Sequence, residues 1–248
     1  MHERFSRTAA LIGQENIDKL KNRRVAVFGV GGVGGHACEA LGRCGVGMID
    51  IFDGDVVEVS NINRQLIATH NTIGRYKVDV MRERLLGINP DAVVYAQKLF
   101  YLPETADEVD LSVYDYVIDA VDTITAKLEI ICRCNALNVS VISSMGAANL
   151  LDPKAFEVAD IFETSVCPMA KVMRSELRKR GVSSLKVVYS REPPVNPRKD
   201  IASPVDNDTP DRPPAGYQPS RRPPASIAFV PPVAGLILAS EVVKELIM

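Results

Sequence analysis

The chain has 248 residues, 46% of them hydrophobic, and a formal net charge of −2. This composition is ordinary for a globular protein and supports one sizeable core, so we expect a single domain with a flap and not two domains. With this net charge the protein as a whole is not polycationic. Any nucleic acid must therefore be bound by a local basic patch.

The cysteines and the hydropathy of the sequence argue against a disulfide-rich, zinc-binding, secreted or membrane-spanning protein. The five cysteines contain no Cys-x-x-Cys pair, which argues against a disulfide framework and against structural zinc. Free thiols are typical of a reducing cytosol, and the first residues lack the apolar core of a signal peptide. The most apolar stretch, 227–239, is interrupted by Pro231 and Pro232 and is shorter than the ~18 residues that a membrane span needs. We therefore expect a cytoplasmic protein with no stable membrane insertion.

Strand and helix patterns alternate through the first part of the chain. A helical arm is expected over 1–22. Apolar, β-branched runs predict strands at 23–30, 48–53, 92–97, 114–121 and 138–144. Helical spacing of apolar residues predicts helices at 34–45, 72–88 and 122–137. This alternation predicts an α/β fold with a Rossmann-like, doubly wound and mostly parallel sheet.

The second part of the chain has a different pattern. Short strands are predicted at 156–161 and 185–190, on either side of a helix at 167–182, and we expect them to extend the sheet as antiparallel strands. Residues 191–224 are rich in proline and poor in apolar side chains, which predicts a flexible flap. A C-terminal strand at 226–230 and a helix at 233–247 complete the predicted elements.

A glycine-rich loop joins the first predicted strand to the first helix of the sheet. Its glycines are Gly29, Gly31, Gly32 and Gly34. They permit a tight turn and a close approach of phosphate to the N–H groups of the helix start. Asp53 ends the second strand, where a carboxylate can accept hydrogen bonds from ribose hydroxyls. The pattern predicts a nucleotide site but does not separate a dehydrogenase from an adenylating enzyme.

A second polar cluster follows Asp53, and a dinucleotide site has no need of it. It consists of Asp55, Asn61, Arg64 and Gln65. An enzyme that cuts between the α- and β-phosphates of ATP must stabilise charge on both products. Arg64 offers a fork of donors for phosphate, and Lys77 offers a second cation. Asp122, beyond the fourth strand, can hold Mg²⁺ together with water and phosphate.

The order of these motifs resembles the ubiquitin-activating-enzyme-like superfamily, which includes molybdopterin-synthase and thiamine-biosynthesis adenylyltransferases. The motifs are GxGGxG, DxDxV, SNxNRQ, GxxKV and a strand ending in DxxD, and they cover residues 4 to about 148. The resemblance implies one ATP-binding domain over 1–248. It implies that the nucleotide ligands are Gly32, Asp53, Asn61, Arg64, Lys77 and Asp122.

The N-terminal arm carries a further superfamily motif. Arg4-Phe5-Ser6-Arg7 resembles the superfamily's Arg-aromatic-x-Arg sequence. The resemblance implies that Arg7 reaches into the partner subunit's ATP site in a homodimer. It gives catalytic roles to Arg7, Arg64, Lys77 and Asp122.

Within the superfamily, the chain resembles the compact branch that acts on tRNA. Sulfur-transferring relatives carry two Cys-x-x-Cys pairs for zinc, and ubiquitin-type activators carry a later catalytic cysteine and extra domains; the sequence shows neither pattern. The runs at 117–127, 143–153 and 173–181 resemble the tRNA branch. That resemblance implies ATP-dependent dehydration of threonylcarbamoyladenosine, through activation of its threonyl carboxylate. The substrate brings its own nucleophile, so positioning and charge stabilisation suffice for catalysis.

The predicted helix at 167–182 offers a candidate tRNA surface. Its basic residues are Lys171, Arg174, Arg178, Lys179 and Arg180. A solvated helix face explains them equally well. Cys167, before Pro168, occupies a position where a helix start would stabilise a thiolate, although capping or burial explains it better. Besides tRNA and a second copy of the chain, sulfur-transfer or redox proteins remain open as partners.

Three other functions compete with this interpretation. An adenylyltransferase for the Gly-Gly end of a small sulfur-carrier protein would use the same ATP site. An NAD(P)-dependent oxidoreductase would share the glycine loop and Asp53 but leave Arg64, Lys77 and Asp122 unexplained. A non-catalytic scaffold is disfavoured because the phosphate-binding cluster is intact.

Overall fold

The computed structural model describes residues 3–197 and 224–248. Its helices are α1 Ser6–Ile12, α2 Gln14–Lys21, α3 Gly34–Cys44, α4 Lys77–Ile88, α5 Ile124–Leu137, α6 Pro168–Lys179 and α7 Val230–Ile247. Its strands are β1 Arg24–Phe28, β2 Met48–Phe52, β3 Val93–Gln97, β4 Tyr116–Asp119, β5 Val141–Ser144, β6 Phe156–Asp160 and β7 Lys186–Ser190. None of the helices in these described ranges is long and apolar enough to cross a bilayer.

The strands form one seven-stranded sheet in the order β3-β2-β1-β4-β5-β7-β6. The strand order reverses between β1 and β4, where the parallel register aligns Phe28 with both Phe52 and Asp119. The carboxyl ends of β1, β2 and β4 therefore meet at one point of the sheet edge, which is where open α/β sheets bind their ligands. This topology confirms the predicted Rossmann-like, mostly parallel fold.

Helices cover both faces of the sheet. On one face α3, α4 and α7 share a core that includes Leu41, Met81 and Leu238. Gly235 lets α7 approach α3, because a Cβ at this position would lie 2.2 Å from the carbonyl oxygen of Val33. On the other face α5 and α6 pack around residues such as Met173. The start of α3, which follows the glycine loop, is thereby held between the sheet and α7.

Three predicted elements differ from the observed ones. Strand β7 is parallel to β5, so only β6 is antiparallel. The helix predicted at 72–88 begins at Lys77, after a series of turns. The strand predicted at 226–230 is wrong: residues 224–229 form no strand, and α7 begins at Val230. The prolines that follow occupy the first turn of α7, where no backbone N–H donor is needed.

The predicted flap at 191–224 lies mostly outside the described residues, since 198–223 are not among them. Its described beginning, 191–197, runs beside the loop that follows β5. The Glu192 carboxylate accepts hydrogen bonds from the backbone N–H groups of Leu151 and Asp152, at 3.0 and 2.8 Å. The beginning of the segment is therefore fixed next to the carboxyl end of β5.

Candidate nucleotide-binding site

The glycine loop between β1 and α3 is shaped by two of its glycines. Gly29 has φ of +87°, and a Cβ there would lie 2.8 Å from the carbonyl oxygen of Ala120. A Cβ at Gly34 would lie 1.8 Å from the carbonyl oxygen of Gly29. No side chain fits at either position without moving the backbone. These two glycines therefore close the turn and bring it against the end of β4.

The other two glycines differ in the space around them. A Cβ at Gly31 would approach only the amide nitrogen of Gln65, at 3.9 Å. A Cβ at Gly32 would lie 3.1 Å from Cβ of Pro231 and 3.3 Å from Cγ of Arg64, so this glycine packs against the start of α7 and against Arg64. His36, which sequence reasoning did not place in the site, brings Nδ1 within 2.9 Å of the Gly32 carbonyl oxygen. The open backbone at Gly31 is thus bordered by the polar residues that the sequence predicts as nucleotide ligands.

Asp53 connects the end of β2 to the glycine loop. Its Oδ2 accepts a hydrogen bond from the Val30 backbone N–H at 2.7 Å, and its Oδ1 accepts one from the Asp55 backbone N–H at 2.9 Å. Burial raises the pKa of this carboxyl group, and the nearby charge of Lys77 opposes the shift. Each oxygen retains a lone pair for a further donor. The structure therefore places Asp53 where a nucleotide ribose could be bound, and gives it a second role in holding the loop.

Lys77 begins α4 and is only 6% exposed. Its Nζ lies 2.7 Å from Oδ2 of Asp55. Burial lowers the pKa of Lys77, but the charges of Asp53 and Asp55 outweigh it, so that the net shift is upward. Lys77 is therefore a buried ammonium group that two carboxylates hold in its charged form. Asp55, predicted as a nucleotide ligand, contacts Lys77 in this structure.

Arg64 lies beside the glycine loop and is partly buried. Its Nη1 donates hydrogen bonds to the Ser60 carbonyl oxygen at 3.1 Å and to Oδ1 of Asn63 at 2.9 Å. Burial lowers the pKa of the guanidinium, while the charges of Asp122 and Glu58 raise it. Asp122 is exposed and follows the end of β4. Its effect on the pKa of Arg64 shows that the two charges lie close enough to interact.

The two amide residues of the predicted cluster differ in their hydrogen bonding. Asn61 accepts a hydrogen bond from the Glu58 backbone N–H at 3.2 Å, which shapes the turn that carries Arg64. Gln65 is 7% exposed, and its Oε1 has no hydrogen-bond partner among the described residues. A buried polar atom without a partner is uncommon in a folded protein. The open space at Gly31, the Gln65 amide nitrogen beside it and the nearby cations together fit a bound nucleoside phosphate.

Arg7 lies on α1, away from the cluster. Phe5, two residues earlier, packs against Ala9 and Ile17, and its ring also lies beside Gly45, so it fixes the arm to the segment that follows α3. Within the described part of the chain, the exposed Arg7 side chain makes no hydrogen bond or ion pair. The predicted catalytic role of Arg7 across a homodimer stays a prediction.

The predicted tRNA-binding residues of α6 differ in how their charges are used. Arg174 donates a hydrogen bond to the Thr164 carbonyl oxygen at 2.9 Å, which fixes the turn before α6. Lys179 and Arg180 both pair with Glu176, each at 2.6 Å. Lys171 and Arg178 are exposed, and the Arg178 guanidinium lies 5.0 Å from the centre of the Phe162 ring. These two residues are the better candidates for contacts with phosphate.

The described residues offer few candidates for cysteine or metal chemistry. Cys167 is buried at the start of α6 and has no disulfide partner. No group of three or more histidine, cysteine or acidic side chains among residues 3–197 and 224–248 is arranged to hold a metal ion. Asp122 is therefore a single carboxylate that would need water and phosphate oxygens to complete a magnesium site.

Comparison with known families fits this geometry. The ThiF family profile matches residues 5–248. The chain belongs to the ThiF family. The membership expected from the motifs, in a superfamily of ubiquitin-activating-enzyme-like proteins, is thereby confirmed.

Individual relatives align with this ThiF-family chain over nearly its full length. It is 46% identical to tRNA threonylcarbamoyladenosine dehydratase from Bacillus subtilis, over 100% of this chain and 96% of the relative. The E. coli tRNA N6-threonylcarbamoyladenosine dehydratase in complex with AMP superposes with a TM-score of 0.84 at 29% identity, covering 98% of this chain and 94% of the other. The same enzyme in complex with ATP gives 0.82, also at 29% identity, with 98% and 93% covered.

Proposed function

We propose that this chain catalyses the ATP-dependent dehydration of threonylcarbamoyladenosine in tRNA. The observation that carries the proposal is the meeting of Asp53, Arg64, Lys77 and Asp122 around the glycine loop at one point of the sheet edge. The full-length similarity to dehydratases that bear this name favours it over adenylation of a Gly-Gly carrier protein.

The proposed reaction needs activation of a poor leaving group. The threonyl carboxylate attacks the α-phosphorus of ATP, and pyrophosphate leaves. A nucleophile within the threonylcarbamoyl group then attacks the carbonyl carbon, gives up its proton, and AMP departs with the former carboxylate oxygen. The base has lost the elements of one water molecule. No enzyme nucleophile is required.

The residues of the site have distinct roles in this scheme. Asp53 binds the ribose, and the backbone at Gly31 and Gly32 lies along the phosphates. Arg64 and Lys77 stabilise the charge that develops on the α-phosphate and on pyrophosphate, which is the largest catalytic term available to a preorganised site. Asp122 would hold Mg²⁺, which would neutralise part of the charge on the phosphates.

The assembly proposed here is a homodimer in which Arg7 completes the partner's site. The tRNA would lie along the exposed face of α6. Because the substrate is tRNA, the activity is expected in the cytoplasm.

The test is purified protein with ATP, Mg²⁺ and tRNA that carries the modified base, followed by mass spectrometry of the nucleosides. A loss of one water on the modified adenosine is expected. Arg64→Ala and Lys77→Ala should each slow product formation about 30- to 1,000-fold without unfolding the protein, since one such phosphate contact contributes about 2–4 kcal/mol in the transition state. Turnover close to wild type in both variants would refute the site. If a Gly-Gly carrier protein is adenylated while tRNA is unchanged, the sulfur-carrier alternative is correct.

A nucleotide comparison separates the oxidoreductase alternative. Thermal unfolding should shift upward with ATP and Mg²⁺ and respond less to NAD or NADP, because Arg64 and Lys77 are placed for a triphosphate. A larger shift with a dinucleotide would contradict the proposed use of ATP.

A further inference from the structure

Two asparagines hold residues 224–226, here called the return strap, between the loop that follows β5 and the turn that carries Arg64. On one side of the strap, Asn149 has φ of +60°, a left-handed conformation that asparagine tolerates better than most residues. Its backbone N–H donates to the Ala225 carbonyl oxygen at 2.8 Å, and its Oδ1 accepts from the Ala225 N–H at 2.9 Å. The strap is thereby fixed to the loop that follows β5.

On the other side, the strap contacts the motif that carries Arg64. Nδ2 of Asn63 donates a hydrogen bond to the Ser226 carbonyl oxygen at 3.0 Å. Oδ1 of the same side chain accepts the hydrogen bond from Nη1 of Arg64. An amide with both ends bonded cannot rotate freely, so the strap determines the direction in which Asn63 presents its oxygen to Arg64.

The arrangement leaves part of the guanidinium available. Nη1 carries two hydrogens, and Ser60 and Asn63 take both. Nε and Nη2 have no hydrogen-bond partner among the described residues. These two atoms form the planar fork that binds two phosphate oxygens at once. Because Asn63 and Ser60 are neutral acceptors, they orient the cation without cancelling its charge.

We infer that Asn63 is a positioning residue for Arg64, and that the return strap, held by Asn149, is the element that orients it. This inference rests on the proposed function only in taking Arg64 as a ligand of the ATP phosphates. Asn63 itself touches neither nucleotide nor tRNA in this role. It acts through the angle at which the Nε–Nη2 edge of Arg64 faces the glycine loop.

The experiment is a double-mutant cycle on ATP binding, measured by calorimetry with the full-length protein. Asn63→Ala should weaken ATP binding about tenfold, the amount expected when a hydrogen bond to a charged group is lost. In an Arg64→Ala background, Asn63→Ala should cause no further loss, because its only route to the nucleotide has been removed. Asn149→Gly keeps the left-handed backbone and removes only the Oδ1 bond, so it should weaken binding by a smaller factor.

A matched control and a stability measurement complete the test. Asn135→Ala removes an exposed asparagine near the end of α5 and should leave ATP affinity unchanged. Melting temperatures of Asn63→Ala and Asn135→Ala should equal that of the wild type. Wild-type affinity in Asn63→Ala, or an equal loss in both backgrounds, would overturn the inference. If ATP binding shows the coupling but tRNA is not dehydrated, the positioning role stands and the proposed reaction fails.

Discussion

A buried ion pair between α5 and the end of β4, next to the candidate site, tests how the protein is stabilised. Lys127 and Asp119 are both 0% exposed, and their Nζ and Oδ2 atoms lie 3.0 Å apart. The lysine also donates to the Ser144 carbonyl oxygen at 2.6 Å, and the Ser143 hydroxyl donates to Asp119 at 2.6 Å. The pair ties α5 to the carboxyl ends of β4 and β5. It thus supports the loop that carries Asp122.

Removing one partner should be costly. Lys127→Met keeps the shape of the side chain but leaves a buried carboxylate without its counter-charge and the Ser144 carbonyl without its donor. Breaking a buried ion pair in this way costs about 3–5 kcal/mol. A domain of ordinary stability has about 5–15 kcal/mol in total, so the variant should be markedly destabilised. Pairing Lys127→Met with Asp119→Asn removes the orphaned charge and should recover at least half of the loss.

The assay is denaturant unfolding, with a surface pair as the control. Lys98 and Asp79 lie 2.8 Å apart but are 46% and 40% exposed, so Lys98→Met should cost less than about 1 kcal/mol. If Lys127→Met and Lys98→Met cost the same, burial does not determine the energetics of the pair and the reasoning is wrong. If the double variant is no more stable than Lys127→Met, the loss does not come from the orphaned charge.

Three further predictions concern the proposed catalytic assembly. If Arg7 acts across a dimer, mixing Arg7→Ala protein with Lys77→Ala protein should restore part of the lost activity, because one site of the mixed dimer keeps both residues. An active protein that light scattering shows to be a monomer would contradict this. Cys167→Ser should keep most of the tRNA-dehydrating activity, since the substrate supplies the nucleophile. A variant that binds ATP normally but no longer dehydrates tRNA would assign the thiol a chemical role. Charge reversal at Lys171 and Arg178 should weaken tRNA binding, and reduce its salt dependence, without changing ATP affinity; unchanged tRNA affinity at low salt would exclude α6 as the tRNA surface.

The positions of several residues of the candidate nucleotide site in the fold could be predicted from the sequence because these residues lie where strands end or helices begin. Several predicted ligands follow the end of a strand or begin a helix, and parallel strands bring such ends together at one edge. Asp53 follows β2, Lys77 begins α4 and Asp122 follows β4. The alternation of strands and helices along the chain was therefore enough to place these side chains at the edge of the sheet that carries the glycine loop.

Other features depend on contacts that no local pattern records. The run 226–230 has the composition of a strand, but short apolar runs do not distinguish a strand from other buried segments. Arg174 belongs to a basic run in the sequence, whereas the fold uses it to bond Thr164. The roles of Asn63 and Asn149 arise only because residues 224–226 return between them. Asparagine in a loop carries no signal of its own, since it is common in turns.

The two cations of the site are kept charged and oriented in different ways, and the difference follows from their chemistry. An ammonium group loses its proton readily when it is buried, so Lys77 needs the carboxylates of Asp53 and Asp55 to remain charged. A phosphate that approaches Lys77 must share it with Asp55. A guanidinium stays protonated in any protein environment, so Arg64 needs no counter-charge and can be held by the neutral oxygens of Ser60 and Asn63. A carboxylate at position 63 would bind Arg64 more strongly but would neutralise the charge that a phosphate requires. The amide therefore suits a residue whose task is to orient Arg64.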